Sequence, residues 1–244
     1  MNLPHSMLEL LEQQEIGLHP IYAARVTGLQ ERNFVTNSKV MRAMNEAMFA
    51  DNRALAFRLK RHSEHETLGA RFIEAIATEH ADGQLQEDLL AHAADEYRHG
   101  RMFKTIYKEV AATTMTDDFD DHRETVENEL AAFDGALVSF LFASHTAEIR
   151  NYYLLHQYLE LITGVDKPYR HRLEAVLHQV MGDEIRHVVY TARYVNELLA
   201  EDPSRAILLD GYLAEYSRMS WQEMALIASY FATREPEPVA VSAL

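Results

Sequence analysis

Two short stretches, Asp95-Glu96-Tyr97-Arg98-His99 and Asp183-Glu184-Ile185-Arg186-His187, decide the fold of this chain. In each stretch a Glu and a His are three residues apart, so on a helix they lie on one face and can reach the same ion. The Glu-x-x-His spacing alone is expected roughly once by chance at this composition. The full Asp-Glu-x-Arg-His string is expected in well under about one in a hundred shuffled chains, so two copies indicate a paired site on two helices.

The composition of the 244 residues excludes several kinds of site and partner. Because there is no cysteine, thiolate nucleophiles, disulfides and iron–sulfur clusters are excluded, and a metal would be held by carboxylate and imidazole groups. A formal net charge of -15 disfavours nucleic acid, membrane surfaces and acidic carrier proteins as partners. The sequence has no apolar run of about 18 residues and no targeting signal at its start, so a cytoplasmic location is expected.

The hydrophobic periodicity is helical almost throughout and predicts an all-α fold. The four long helices are expected in the following order: helix A over about 52–80, helix B over about 84–112, helix C from a break at 134–135 to about 163, and helix D from a turn at 164–166 to about 202. Pro168 is expected in the first turn of helix D, where its missing N–H costs little.

Additional helices are predicted at both ends of the chain, so residues 1–234 are expected to form one domain, with the four long helices at about 52–201. The flanking segments are interpreted as a helix near 4–15, a loop at 19–20, a helix near 38–50, a helix that opens at 202–203 and a last helix that starts at a capping box, 220–223. The acidic stretch 113–121 is predicted to be a loop before a connecting helix, and 235–244 a disordered tail.

Two further glutamates lie at the depth of the repeated strings. If helix B folds back on helix A about a turn near Ala81, Glu96 is level with Glu66, since each is 15 residues from the turn. If helix D folds back on helix C about a turn near Asp166, Glu184 is level with Glu148 in the same way. All four lie on core-facing stripes. Four buried carboxylates are costly unless they are neutralised, and two divalent ions supply the required positive charge.

The predicted metal ligands are therefore Glu66, Glu96, His99, Glu148, Glu184 and His187. Glu64, Glu74 and Glu79 compete with Glu66 on helix A, but only Glu66 fits both the stripe and the depth. Other inward residues near this layer are interpreted as core or pocket candidates: His62, His92, His145, Tyr152, Thr191 and Phe103.

Two of those candidates have an open role. His62 and His92 each stand one turn before a ligand Glu, and a third imidazole on the metals is left open for both. Apolar residues beside the ligands are expected to exclude water and to line a pocket, namely Ala70, Phe103, Leu141 and Val180.

The paired strings resemble the ferritin-like di-iron carboxylate superfamily, most closely the hydroxylases of multicomponent monooxygenases and the acyl-carrier-protein desaturases, over roughly residues 52–200. The resemblance implies a four-helix bundle with two iron ions, or manganese in one or both positions, and O2 as cosubstrate. It also implies that Asp95 and Asp183 each accept the outer N–H of the facing His, and that Arg98 and Arg186 pair with those aspartates or with the facing helix.

The chain departs from particular branches of the superfamily. Phe103 stands where ribonucleotide reductases carry a radical Tyr, and Tyr152 stands where methane- and toluene-type hydroxylases carry a Thr. Arylamine N-oxygenases carry an extra His in the last motif, where this chain has Val180, whereas His92 occupies the equivalent slot of the first motif. The resemblance therefore leaves the reaction open.

The expected function is an O2-dependent oxidase or oxygenase that hydroxylates, desaturates or N-oxygenates a small organic molecule. Electrons would come from a donor protein or another reductant, because the chain has no cysteine for an attached rubredoxin module. The first alternative is a ferritin- or rubrerythrin-like protein that oxidises iron or removes peroxide. A vestigial scaffold and a transfer-RNA hydroxylase are further alternatives, the latter disfavoured by the acidic charge. The sequence leaves open whether the protein forms a homodimer.

Overall fold

The computed structural model of the protein describes residues 4–32, 37–111 and 136–232. Within these residues the structure is helical, with no strand, which confirms the all-α prediction. The predicted acidic loop at 113–121, the connecting helix after it, the break at 134–135 and the tail at 235–244 lie outside the described residues.

Four long helices form the centre of the fold and match the predicted helices A to D. The first hairpin joins α4 (Asn52–His80) to α5 (Gly83–Ala111) through a link of two residues, and Gly83 adopts a φ of 54° there, which favours glycine. The second hairpin joins α6 (Leu137–Ile162) to α7 (Arg170–Glu201). The helices of each hairpin pack along their length, so that both Glu-x-x-His strings lie on the second helix of a hairpin.

Side-chain caps determine where the first helices begin. The Oδ1 atom of Asp51 accepts hydrogen bonds from the N–H groups of Arg53 (2.7 Å) and Ala54 (3.0 Å) at the start of α4. Ser38 caps α3 (Lys39–Ala50) and Ser6 caps α1 (Met7–Gln13) in the same way. These caps supply acceptors for N–H groups that have no partner inside the helix.

One glycine allows the first hairpin to close beside the site. At Gly100, the residue after His99, an added Cβ would lie 2.5 Å from Oγ1 of Thr67 and 3.2 Å from the backbone oxygen of Ser63. The hydroxyl of Ser63 donates a hydrogen bond of 2.7 Å to the carbonyl of Gly100. The close contact of α4 and α5 at this level therefore depends on the absence of a side chain.

Three predictions about where helices begin were wrong. The segment after His19-Pro20 is a helix, α2 (Pro20–Glu31), with Pro20 in its first turn. Pro168 precedes α7, which begins at Arg170. The helix α8 (Ala206–Ala232), which follows a 3-10 turn at Pro203–Arg205, runs without a break through 220–223 because Ser220 is buried and donates its hydroxyl to the carbonyl of Tyr216 at 2.9 Å.

The flanking helices pack around the hairpins and complete the core. Helix α8 packs mainly on α6 and also contacts α2 and α3. Most buried apolar residues form one continuous core, and a second, smaller cluster around Ile76 and Leu89 lies toward the turn of the first hairpin. Among the described residues, none of the helices combines the length and the hydrophobicity needed to cross a bilayer.

Candidate metal centre

The six predicted ligands come together in the interior, in two groups of side chains that could hold a metal ion. The first group contains Glu66, Glu96, His99 and Glu184, whose ligand atoms all lie within 4.8 Å of one another. The second group contains Glu148, His187 and His92, and meets the same limit. All seven side chains are buried. Each of the four long helices contributes at least one glutamate, as the depth arithmetic predicts.

Two of the glutamates lie between the two groups. Oε1 of Glu96 is 3.4 Å from Nδ1 of His99 and 3.4 Å from Nδ1 of His187. Glu184 directs one oxygen to each imidazole, with Oε1 at 3.6 Å from His99 and Oε2 at 3.8 Å from His187. Of these two histidines, only His187 lies near Glu148, with its Nδ1 atom at 3.8 Å from Oε2. Glu96 and Glu184 therefore each lie close to both imidazoles, while Glu66 belongs to the first group and Glu148 to the second.

The facing atoms of this cluster have no hydrogen-bond partner within the described part of the chain. The unpaired buried atoms are Oε1 of Glu96, Oε2 of Glu148, both carboxylate oxygens of Glu184, Nδ1 of His99, Nδ1 of His187 and Nε2 of His92. A buried polar atom without a partner costs about 1–3 kcal/mol. Cations would satisfy all of these atoms together, and a mixed carboxylate and imidazole donor set suits iron or manganese, so the residues fit a metal pair.

Burial and mutual repulsion disfavour full ionisation of the carboxylates. Burial raises the pKa of Glu66 and of Glu148 well above the ordinary value, and the neighbouring carboxylates add to the effect. Burial likewise raises the pKa of Glu96 to about 8. Burial also opposes ionisation of Glu184, but its contacts with His187 outweigh burial and lower its pKa. Cations that bind here must therefore displace protons at neutral pH.

Each imidazole is held by the aspartate of the other motif. Nε2 of His99 donates to Oδ2 of Asp183 at 3.0 Å, and Nε2 of His187 donates to Oδ2 of Asp95 at 3.3 Å. With the proton on Nε2, the lone pair of each ring is on Nδ1, the atom that faces the carboxylates. Although burial raises the pKa of both aspartates, hydrogen bonds from the histidine and from Arg98 lower them overall, so both stay ionised.

Two arginines complete the connection between the motifs. Arg98 pairs with Asp95 at 2.6 Å and with Asp183 at 2.5 Å. Arg186 pairs with Asp95 at 2.9 Å and with Asp183 at 2.5 Å. Each arginine therefore bridges both aspartates, which fixes the two motif helices at one register.

His92, whose role the sequence leaves open, lies inside the cluster. Its Nε2 atom is 3.4 Å from Oε1 of Glu96 and 3.4 Å from Oε1 of Glu148, and its ring stacks on His187 with centroids 3.8 Å apart. Burial lowers its pKa well below the ordinary value, so the ring is neutral. Nδ1 hydrogen-bonds to the hydroxyl of Tyr190 at 2.7 Å, which leaves Nε2 directed at the carboxylates. Tyr190 was not predicted, although it stands one turn after His187.

His62 lies farther from the cluster. Its Nδ1 atom is 3.9 Å from Oε1 of Glu66, and its ring stacks on Phe103 with centroids 5.0 Å apart. It belongs to neither group of ligand atoms. The competitors of Glu66 also lie elsewhere: Glu64 pairs with Lys60, Glu74 accepts a hydrogen bond from Tyr97, and Glu79 is exposed.

The other candidates pack in the core. His145 joins two hydroxyls, with Nε2 at 2.8 Å from Tyr22 and Nδ1 at 2.8 Å from Thr191, and burial lowers its pKa to about 3. Tyr152 donates its hydroxyl to the carbonyl of Pro4 at 2.5 Å. These residues support the ligand helices without facing the ligand atoms.

A cavity of about 660 Å³ adjoins the cluster between α4, α6 and α8. Glu66, His92, Glu96 and Glu148 form part of its wall, so a molecule in the cavity would lie against the ligand layer. His62 also lines it, whereas His145, Tyr152, Thr191 and Phe103 do not. Four residues that were expected to line the pocket are instead buried in the core and do not line this cavity: Ala70, Phe103, Leu141 and Val180. Each lies on a different long helix, on a face that neighbouring helices cover.

The far wall of the cavity contains Glu223, a residue for which the sequence predicted a different role. Glu223 of α8, predicted as part of a capping box, is largely buried and pairs with both Arg58 of α4 and Arg150 of α6. No local signal separates such a residue from a helix cap, since its partners are about 70 to 165 residues away in the chain.

Comparisons of the chain with protein-family models, curated proteins and solved structures find no match.

Proposed function

We propose that this protein is a ferritin-like di-iron oxidase or oxygenase that uses O2 to oxidise a small organic molecule. The observation that carries the proposal is the set of buried, unpaired carboxylate and imidazole atoms that face one another beside a cavity. Two hairpins of long helices that supply one Glu from each first helix and Glu-x-x-His from each second helix support the ferritin-like architecture.

The distances suggest a distribution of ligands over two ions. Glu66 and His99 would hold one ion, and Glu148, His187 and His92 would hold the other, with Glu96 and Glu184 shared between them. Manganese in one or both positions suits the same donors. The chemistry that two iron ions supply is the reduction of O2, which makes an oxygen atom or oxidising equivalents available to the bound molecule.

The protein contributes position, proton control and exclusion of water. Asp95 and Asp183 hold the protons of His187 and His99 on Nε2, so that both Nδ1 atoms stay available as donors. The buried core behind the ligands, including Phe103 and Val180, keeps water from that side. The cavity on the other side binds the organic molecule, and reducing equivalents come from a partner protein or a small reductant.

The cavity favours an enzyme over the alternative of iron oxidation or storage. Its volume is far larger than an iron ion requires, and much of its wall is apolar. An iron-oxidising protein of the ferritin or rubrerythrin type needs a path for ions, for which acidic or polar walls are better suited. We therefore keep iron oxidation as the second candidate, to be separated from the first by iron counting and by molecular size.

Anaerobic titration with Fe(II) tests the proposal. We expect about two iron ions per chain, the loss of most binding in Glu184→Ala, and no loss in the control Glu79→Ala, whose side chain is exposed at the end of α4. Uptake of many more ions per chain, or assembly into a cage, would support storage instead. If wild type and Glu184→Ala bind iron equally, the proposed centre is wrong.

Mixing the iron-loaded protein with O2 then tests the reaction. We expect O2 uptake that accelerates in the presence of an organic substrate from a panel of carboxylic acids, amines and aromatics. Uptake that no panel member accelerates, combined with formation of iron oxide cores, would count against an oxygenase.

A further inference from the structure

The cavity beside the cluster has two chemically different ends. One end is apolar, with Phe72 of α4 and Phe140 of α6 in ring contact at 5.9 Å and Ile73 beside them. The other end carries three arginines: Arg58, Arg61 and Arg150. This group of positive charges contrasts with the net charge of -15 of the whole chain, which suggests that the arginines bind an anionic group.

The ligand layer lies between these two ends along α4. At 1.5 Å per residue, Arg61 is about 7.5 Å from Glu66 in one axial direction, and Phe72 is about 9 Å away in the other. Glu148 of α6 is on the same wall at the level of Glu66. Along α4, a molecule that reaches from Arg61 to Phe72 would therefore pass the metal ligands between its two ends.

The arginines at the polar end are only partly neutralised. Glu223 receives both Arg58 and Arg150, whereas Arg61 contacts Nε2 of His65 at 2.9 Å. Among the residues that the structure describes, no hydrogen-bond partner is found for the buried Nε atoms of Arg61 and Arg150. Of the other acidic residues that line the cavity, Glu215 is paired with Arg218 on its own helix, and Glu66, Glu96 and Glu148 lie in the ligand layer.

The contact with Glu223 also indicates which kind of chemical group these arginines bind. Its carboxylate sits between two guanidinium groups, whose planar forks match a carboxylate in geometry and charge. Since one carboxylate is already accommodated between two of the three arginines, the same chemistry suits a second carboxylate, from a bound molecule, at the guanidinium groups of Arg61 and Arg150 that line the cavity.

We propose that the cavity binds an amphipathic monocarboxylate, with its carboxylate at Arg61 and Arg150 and its apolar body directed toward Phe72 and Phe140. As the substrate of the metal centre this ligand rests on the proposed function, but its binding is measured separately. An amine is disfavoured as the head group at the arginine end of the cavity, because a cationic head there would lie near three arginines.

Calorimetric titration with decanoate as probe tests the inference. The full chain is used as purified, under anaerobic conditions, and its metal content is counted. Decanol and decylamine are matched probes with a neutral and a cationic head. We expect decanoate to bind at least about tenfold more tightly than either, which is the effect of one charged hydrogen-bonded contact. Equal binding of all three, or tighter binding of decylamine, would overturn the inference.

Two substitutions with opposite expected signs make the test specific. Arg61→Gln should weaken decanoate binding by about tenfold or more, whereas Arg42→Gln, an exposed arginine paired with Glu160 outside the cavity, should leave it unchanged. Glu223→Gln should strengthen decanoate binding, because it frees two guanidinium groups, and a misfolded variant cannot produce a gain. If Arg61→Gln behaves like Arg42→Gln, or if Glu223→Gln weakens binding, the inference fails.

The outcomes separate this inference from the proposed function. Binding of about two iron ions without binding of decanoate leaves the metal centre intact and overturns the ligand class. Arginine-dependent binding of decanoate without iron binding supports the ligand class and overturns the proposed function.

Discussion

Replacement of Glu96 by Gln should make the metal-free protein more stable at pH 8 while it removes metal binding. The pKa of Glu96 is raised by burial to about 8, against an ordinary value of 4.5. One pKa unit corresponds to about 1.4 kcal/mol, so ionisation of this carboxyl in the folded chain costs on the order of 5 kcal/mol. The amide of Gln has nearly the same shape and carries no such charge.

The pH window follows from the sign of the shift. Between pH 4.5 and about 8 the unfolded chain has released the proton of Glu96 and the folded chain has not, so the free energy of unfolding falls as the pH rises. Glu66 and Glu148, whose pKa values are also raised, contribute in the same direction. Asp95 and Asp183 have lowered pKa values and stay ionised across this window, so they add no slope there.

Urea denaturation of chelator-treated protein at pH 5 and pH 8 measures this effect. Glu96→Gln should match wild type within about 1 kcal/mol at pH 5 and exceed it by several kcal/mol at pH 8, while Glu79→Gln should change neither value. The comparison of variant with wild type removes the contribution of buried histidines that do not contact Glu96, such as His145. Equal stability of Glu96→Gln and wild type at pH 8 would show that the carboxyl is not strained in the folded chain, and the reasoning would be refuted.

Three further tests, two of them with matched control variants, address the centre and the helix contact beside it. Asp183→Asn should weaken iron binding by about 10- to 100-fold in anaerobic titration, because His99 loses its charged partner, and unchanged affinity would contradict this role. His92→Ala should lower iron affinity more than His62→Ala does, since only His92 belongs to a group of ligand atoms, and the reverse order would exclude His92 as a ligand. Gly100→Ala should lower the free energy of unfolding by about 1–3 kcal/mol through crowding against Thr67 and Ser63. Gly182→Ala, with open space at its Cβ, should be neutral or stabilising in the same urea assay.

The ligand layer could be derived from the sequence because it depends on local rules. Helical spacing places Glu96 and His99 on one face, and the rise per residue fixes which glutamate of the preceding helix lies at the same depth. The short link between α4 and α5 leaves little freedom in that arithmetic, and the structure brings Glu66 and Glu96 into one group.

The remaining features depend on contacts between distant segments. Residues 220–223 read as a helix start, yet Ser220 turns inward and Glu223 meets arginines of α4 and α6, a pairing that only the packing of α8 creates. The role of His92 depends on the position of Glu148, which belongs to the other hairpin. Neither partner can be identified from the local pattern around these residues.

The exchange of aspartates between the two motifs means that neither ion of the proposed pair could be tuned alone. Asp183 belongs to the helix of one ion and orients His99, which would hold the other, while Asp95 does the reverse for His187. A slip of α5 past α7 by a single turn would detach both imidazoles at once. Divergence of such a centre therefore has to change both strings in concert, which is a physical reason for the near identity of 95–99 and 183–187 within one chain.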